Sequence, residues 1–404
     1  MCSQTNQPQV RKRRVFYIPG YDPFPPRRYR ELYRSESQAQ AEISGYEISV
    51  SAKPRADVFG WHVTSLQDGE RVHTDVDVLV WSDIVRDSMT GSILSTYLQL
   101  ARTAWTYIST GTLRRLMGLR KGPVIAALYP VGMLLLQLLI ALLVAWATAK
   151  LLVPIVGLWA LVPAGVLAYA VLRWFRTIDN RLFVYYLMHD YAYSAQLKGE
   201  TPPQLQARLD TFQDLIKDAL TEEVDEVLVI GHSSGAHLGV SVLADLIRNC
   251  NVRDQGPVLS FLTLGQVVPM VSFLPNAHRL RADLQFLSKQ PTVAWVDFTA
   301  PGDGCAFALC DPVAVSGVGS PDKKWPLVLS AAFTQTLSPE RWKADRWRFF
   351  KLHFQYLCAF DRPGAYDYFR ITAGPQTLAA RFAGRAPSPS RIDQPVSKYT
   401  TVHA

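Results

Sequence analysis

A chain of 404 residues is long enough for one large α/β domain carrying an insertion, or for two ordinary domains. Its hydrophobic content of 49% is high for a purely soluble enzyme and points to membrane segments. A net charge of +8 without a zinc-finger, RRM or helix-turn-helix signature favours an anionic membrane over nucleic acid.

The N-terminal MCSQTNQPQVRKRR has basic residues but no apolar stretch behind them, so it does not read as a secretory signal. Arg14 to Ile18 predicts a strand that runs into the loop Pro19-Gly20-Tyr21-Asp22-Pro23. Residues 25–41 predict a basic amphipathic helix. Strands near 59–66 and 71–81 follow, joined through the turn Gln67-Asp-Gly-Glu70, and residues 83–118 predict a mostly helical approach to the membrane.

Val124 to Thr148 is a run of 25 residues without a formal charge, and Leu151 to Leu172 is a second uncharged run. Each is long enough to cross a hydrocarbon core of roughly 30 Å as a helix. The pair predicts a transmembrane helical hairpin with its connection near Lys150, in which Pro130, Pro154 and Pro163 are tolerable. Arg114, Arg115, Arg120 and Lys121 precede it and Arg173, Arg176 and Arg181 follow it, so both ends are expected on the cytoplasmic side. If strands on both sides build one sheet, the number of spans must be even, and two satisfies this. The expected setting is a two-pass protein of the plasma or inner membrane, with both termini and the main domain cytoplasmic. A hydrophobic lid or a hairpin dipping into one leaflet is the competing reading.

After the hairpin, Thr201 to Leu220 predicts a helix entered through prolines, and Val224 to Ile230 a buried parallel strand. Ala236 to Ile247 has apolar residues at helical spacing. Between strand and helix stands Gly231-His232-Ser233-Ser234-Gly235, a G-x-S-x-G. At so sharp a turn the central residue is strained and its neighbours two positions away must be small, which is the reason for glycine on both sides. The hydroxyl is thereby lifted above the strand ends, beside the N–H groups of a helix N-terminus. Further strands are predicted at Val258 to Leu264 and Thr292 to Phe298, with a helix through Ala277 to Lys289 between them. The Pro/Ser-rich tail from Gly384 reads as disordered.

Through Gly231 to Gly235 and the wider GHSSGAHL stretch, the chain resembles the α/β-hydrolase superfamily of serine esterases, lipases and relatives. The resemblance covers residues 12–22 and about 205–375 and leaves out the hydrophobic middle. It implies an α/β fold with a doubly wound, mostly parallel sheet, interrupted here by the inserted hairpin. The corresponding division is 1–122 and 176–383 for the two parts of a hydrolase domain, 123–175 for the hairpin and 384–404 for the tail. By the same resemblance, the loop after the early strand donates an oxyanion N–H, from Gly20 or Tyr21. Ser234 gives the other. The usual His-Gly start of that loop is Pro19-Gly20 here.

A serine hydroxyl needs a base, and the base a carboxylate, in the family's chain order Ser, Asp/Glu, His. Of the histidines after Ser233, His237 sits on the elbow helix as a buried residue, His278 precedes the acid candidates and His403 is penultimate. His353 remains. For the acid, Asp303 occupies the loop beyond the strand at 292–298, with Asp297 and Asp311 as alternatives. Five scattered cysteines (Cys2, Cys250, Cys305, Cys310, Cys358) fit reduced thiols better than a disulfide framework. Cys305 and Cys310, without a nearby His, read as core or loop residues. No metal or organic cofactor is expected. The expected function is that of a membrane-anchored serine hydrolase acting on an ester-like, possibly lipid, substrate through Ser233, Asp303 and His353. A non-catalytic membrane scaffold of the same fold, or an acyltransferase using the same nucleophile, are the rival readings.

Overall fold

A computed structural model of the chain describes residues 9–53, 58–250 and 256–403; Cys2, with the rest of residues 1–8, lies outside the described residues. Eight strands, β1 (Lys12–Ile18), β2 (Glu47–Ala52), β3 (Gly60–Gln67), β4 (Glu70–Val78), β5 (Glu226–His232), β6 (Val258–Leu264), β7 (Val293–Thr299) and β8 (Leu327–Ser330), form one sheet. Their order is β2-β3-β4-β1-β5-β6-β7-β8. From β4 to β8 every neighbour pair is parallel, while β2–β3 and β3–β4 are antiparallel. β5 and β7 are buried along their whole length, as continuous apolar runs require when both sheet faces are covered.

The period of two distributes side chains to the two faces. Phe16 and Ile18 of β1 join Val229, Phe261 and Trp295 in one cluster, and Val15 and Tyr17 join Ile230, Leu262 and Phe298 in the other. The first face is covered by α9 (Pro203–Ala219), α10 (Gly235–Asn249) and α12 (His278–Leu287), the second by α1 (Arg27–Ser44) and short helical turns beyond residue 350.

Between β4 and α9 the chain leaves the sheet through α2 (Ser82–Ser88), α3 (Ile93–Ser109) and α4 (Thr112–Leu119). It then forms α5 (Lys121–Val156), a 3-10 turn at Gly157–Ala160, α6 (Leu161–Thr177), the short α7 (Asp179–Leu182) and α8 (Val184–Ala195). Among the described residues, Lys121–Thr177 is the helical stretch long and apolar enough to cross a membrane. α6 lies against α5, and their outer faces expose Leu143, Trp146, Ile155, Val166 and Trp174, with Trp159 exposed on the turn between them. The first part of α5 is instead packed on protein, with Val124 and Leu134 buried among residues of α3, α4 and α8.

Several expectations need correction. The helix does not break near Lys150, which lies inside α5 with its ammonium 4.8 Å from the centre of the Trp146 ring. Ala149 and Lys150 are good helix formers, and the break comes at Gly157, whose φ of 60° is accessible to glycine without strain. β2 and β8 were not anticipated. β2 alternates apolar and polar residues over only six positions and buries none of them, and β8 has only 4 residues. The tail from Gly384 is not disordered but lies along the body. Ser388 N–H donates to Val328 O at 2.9 Å, Ile392 N–H to Leu309 O at 2.7 Å and Val396 N–H to Val315 O at 3.0 Å, while the Thr401 carbonyl accepts from buried Arg281 at 2.8 Å. Its composition misleads because the order comes from backbone bonds to loops of the main body rather than from a core of its own.

One ion pair joins the distant ends of this architecture. The Arg13 Nε of β1 lies 2.6 Å from Glu226 Oε2 of β5, with both side chains fully buried. Arg13 donates further to the carbonyls of Gly374 and Gln376, and Glu226 Oε1 accepts from Ser260 Oγ and Leu378 N–H, so both charges are satisfied. Glu226→Ala strands the guanidinium and should cost about 3–5 kcal/mol of stability, read from chemical denaturation of the detergent-solubilised chain. A loss below about 1 kcal/mol would show the pair to be dispensable.

Candidate active site

β5 ends at His232, and the next residue, Ser233, is held at φ 58°, in the left-handed region that a side chain rarely adopts. The sequence permits this because its neighbours give way. A Cβ on Gly231 would come within 2.6 Å of Gly235 O, and one on Gly235 within 2.1 Å of Ile18 O. Gly20 brings the β1 loop against the serine itself, where a Cβ would lie 2.9 Å from Ser233 Cβ. All three glycines are required by close approach.

The loop after β1 is braced from four sides. Trp81 Nε1 donates to Pro19 O at 2.9 Å, and the Tyr186 hydroxyl donates to Tyr21 O. Asp22 accepts from Phe24 N–H at 2.9 Å and from the Tyr29 hydroxyl at 2.6 Å. Burial raises the Asp22 carboxyl, and those two bonds partly offset it. The N–H groups of Gly20, Tyr21 and Ser234 donate to no acceptor among the described residues, and these three residues line the same cleft as Ser233. That is the disposition an oxyanion-binding pair needs.

His353 lines this cleft and buried Asp303 stands behind it although 50 residues separate them, with His353 Nδ1 2.8 Å from Asp303 Oδ2. The carboxylate is fully used. Oδ2 also accepts from the Tyr356 hydroxyl at 3.1 Å, and Oδ1 from Cys305 N–H at 2.9 Å. Ser233, His353, Gly20, Tyr21 and Ser234 all line one cleft. The alternatives to Asp303 are occupied elsewhere. Asp297 lies inside β7 and accepts from Thr263 Oγ1 at 2.6 Å, and burial pushes its carboxyl up to about 8. Asp311 caps the turn Pro312–Val315 and pairs with Lys323. His237 is half-buried on α10, and burial lowers its imidazole to about 4. His278 begins α12 beside Arg281, and His403 lies in the exposed C-terminal segment.

Residues beyond the sequence reading complete the site. His232, the first variable position of the Gly-x-Ser-x-Gly turn, is buried, with Nε2 2.9 Å from His353 O and Nδ1 3.2 Å from the Tyr17 hydroxyl. Burial and the nearby His353 hold its imidazole down near about 3, so it stays neutral and braces the His353 backbone. Gly265, at φ 55° after β6, leaves room for the same segment, since a Cβ there would meet Tyr356 at 2.7 Å and His353 at 3.2 Å. Asp190 and Tyr186 of α8 form a further wall, and burial pushes the Asp190 carboxyl up to about 7 against the pull of His353. A glycine directly after an apolar strand was a legible signal. Asp190 had none, because α8 reaches the cleft only through the fold.

Asp303, Cys305 and His353 place one potential ligand atom each within 4.8 Å of one another, so Cys305 does have a histidine near it in space, contrary to expectation. The donor set does not suit a metal. Burial, then Asp303 and Asp190, push the Cys305 thiol up, keeping it protonated, and both Asp303 oxygens already accept hydrogen bonds. Compared with protein-family models, with curated proteins and with solved structures, the chain gives no match.

Asp297 yields a pH test. Its carboxyl is raised in the folded state to about 8 from 3.8, so the native chain binds the proton more tightly. The stability this contributes is complete at acid pH and is lost as pH rises through that window. Asp297→Asn, which keeps an acceptor for Thr263, should therefore gain thermal stability relative to wild type as pH goes from 5 to 9. A difference between the two melting temperatures that stays constant across that range would rule out the protonated assignment.

Proposed function

We propose that the chain is a membrane-anchored serine hydrolase of the α/β-hydrolase type that cleaves an ester-like substrate. The observation that carries this reading is the convergence in one cleft of a serine at positive φ on a strand-to-helix turn and a histidine whose Nδ1 lies 2.8 Å from a buried carboxylate.

In this reading Ser233 Oγ attacks the ester carbonyl as His353 Nε2 takes its proton, and the negative charge moves to the carbonyl oxygen. The N–H groups of Ser234 and of Gly20 or Tyr21 hold that oxygen. Collapse breaks the bond to the leaving alkoxide, His353 returns the proton to it, and the acyl group remains on Ser233. Water then attacks by the same steps, and the acid leaves with Ser233 restored. Asp303 accepts from His353 Nδ1–H and stabilises the transient imidazolium. Tyr356 and Cys305 N–H fix the carboxylate, and His232 fixes the backbone behind the imidazole.

The apolar helices supply the anchor. With α5 packed on protein as far as Leu134, the remaining turns to Val156 are about 33 Å long at 1.5 Å per residue, enough to cross a bilayer. α6 returns along them, so the two helices make a hairpin with its tip at Gly157. Arg120 and Lys121 stand at the near end of α5 and Arg173 and Arg176 at the end of α6, which favours a cytoplasmic catalytic domain. Lys150 then lies two turns below the tip, its ammonium held over the Trp146 ring one turn deeper, 4.8 Å from the ring centre.

The test is covalent labelling of native membranes with a fluorophosphonate. Wild type should label and Ser233→Ala should not. His353→Ala should lose at least about 1,000-fold in ester turnover while still inserting into membranes. Wild-type protein that is folded and inserted yet unlabelled would favour a non-catalytic scaffold, and full turnover in His353→Ala would dismiss it as the base.

A further inference from the structure

A second cavity lies beside the cleft, between α3, α4, α5 and α8. Its walls are almost wholly hydrocarbon, including Leu100, Ala104, Leu116, Val124, Ala127 and Met188. The Tyr107 hydroxyl on its lining is already spent on Met270 O at 2.9 Å. Such a space suits a chain that makes no hydrogen bonds.

Two further observations say where this groove leads. At one end Tyr191 and Met270 line both the groove and the cleft that holds Ser233, and Pro123 of the cleft is followed directly by Val124 of the groove. At the other end its lining includes Ile108 and Leu128, which are 61% and 42% exposed. Ile108 is the last member of a stripe on α3, Leu94, Leu98, Ala101, Trp105 and Ile108, whose spacing puts all five on one helix face. Every one of them is exposed, and Trp105 is exposed by 72%. An apolar helix face ending in a tryptophan and an isoleucine, next to a helix apolar enough to cross a membrane, is the composition of a segment lying in a bilayer interface. The groove thus opens on an apolar surface and shares a wall, Tyr191 and Met270, with the cleft that holds the serine.

We infer that this groove receives the long acyl chain of a lipid ester, drawn from the bilayer past Ile108 and Leu128, with the ester carbonyl delivered to Ser233. The inference rests on the hydrolase reading and adds the substrate class. The acyl rather than the alcohol part is the suited occupant. It stays attached to Ser233 through both half-reactions, and a groove that leads away from the open cleft does not obstruct departure of the alcohol.

The experiment uses the full chain in lipid nanodiscs and two plugging variants, Ala127→Trp and Ala104→Trp. Ester cleavage is compared for p-nitrophenyl butyrate and dodecanoate. Each plug should lower kcat/KM for the dodecanoate by on the order of 10-fold or more, since several buried methylenes lose their place, and leave the butyrate within about 2-fold. Retained butyrate cleavage also shows that a variant is folded. A plug that leaves the dodecanoate untouched, or lowers both esters equally, overturns the inference while hydrolysis itself stands. A second measurement does not need turnover: a palmitic acid analogue with a terminal diazirine is photocrosslinked to Ser233→Ala protein. Crosslinks at buried Leu100 or Val124 that vanish with Ala127→Trp support the groove even if wild type cleaves no ester, in which case the hydrolase reading alone falls. Crosslinks absent from the groove overturn the inference.

Discussion

The position of β1 between β4 and β5 is the constraint from which the rest of the architecture follows. A strand made of residues 12–18 hydrogen-bonds on one side to a strand near residue 75 and on the other to one near residue 229. Everything between, including the whole apolar segment 121–177, must leave the sheet and come back to it. The buried Arg13–Glu226 pair locks the register of that junction, since a shift of one residue would leave two charges in the core without partners. The same junction places the loop after β1 against the turn after β5. The proximity of Gly20 to Ser233 is therefore a property of the sheet before it is a property of a site.

Around that junction the strained conformation of Ser233 is held by surroundings that leave no slack. Backbone at the start of α10 fills the space where a side chain at 231 would go, backbone at the end of β1 fills that at 235, and Ser233 N–H is tied to Leu264 O of β6 at 2.9 Å. On the other side the His353 segment is held by bonds from unrelated elements: Asp303 after β7, His232 at the end of β5, and Tyr356, whose hydroxyl also accepts from Ala300 N–H. A hydrogen-bonded set drawn from three strand ends is rigid because the sheet is, which is what preorganised chemistry needs.

Much of this was legible in the order of the residues. Buried parallel strands are continuous apolar runs, so β5, β6 and β7 could be read directly, and the Gly-x-Ser-x-Gly spacing marked the turn because only small residues can stand there. Asp303 and His353 were legible as candidates by place and order alone; that they lie side by side could not be read, since 50 residues intervene. What was missed has physical reasons. β2 is an edge strand whose alternation of Ile48, Val50 and Ala52 with polar residues spans only six positions and buries none of them, so its signal is short and weak. Lys150 looked like a hairpin tip because charge ends an apolar run, yet the backbone turns where a glycine can take positive φ, seven residues later. The tail looked disordered because composition records the capacity to form a core, not the capacity to pair backbone groups with a neighbour. His232 and Asp190 were silent because their surroundings are made by segments far away in the chain.

The reach of Arg13 also sets a timetable. Its last partner, Gln376, lies 363 residues downstream. At roughly 5–20 residues per second, a ribosome needs on the order of 20–70 s to deliver that partner after Arg13 has been made. Early in this interval the apolar segment emerges complete, and until β5 follows, 213 residues after Arg13, β1 has only β4 to pair with and its β5 edge stands open. The apolar segment is therefore complete before the sheet can close. A nascent chain held in this half-built state exposes an unpaired central strand and a charged arginine with nowhere to bury it, which makes the interval the natural point for a chaperone to intervene.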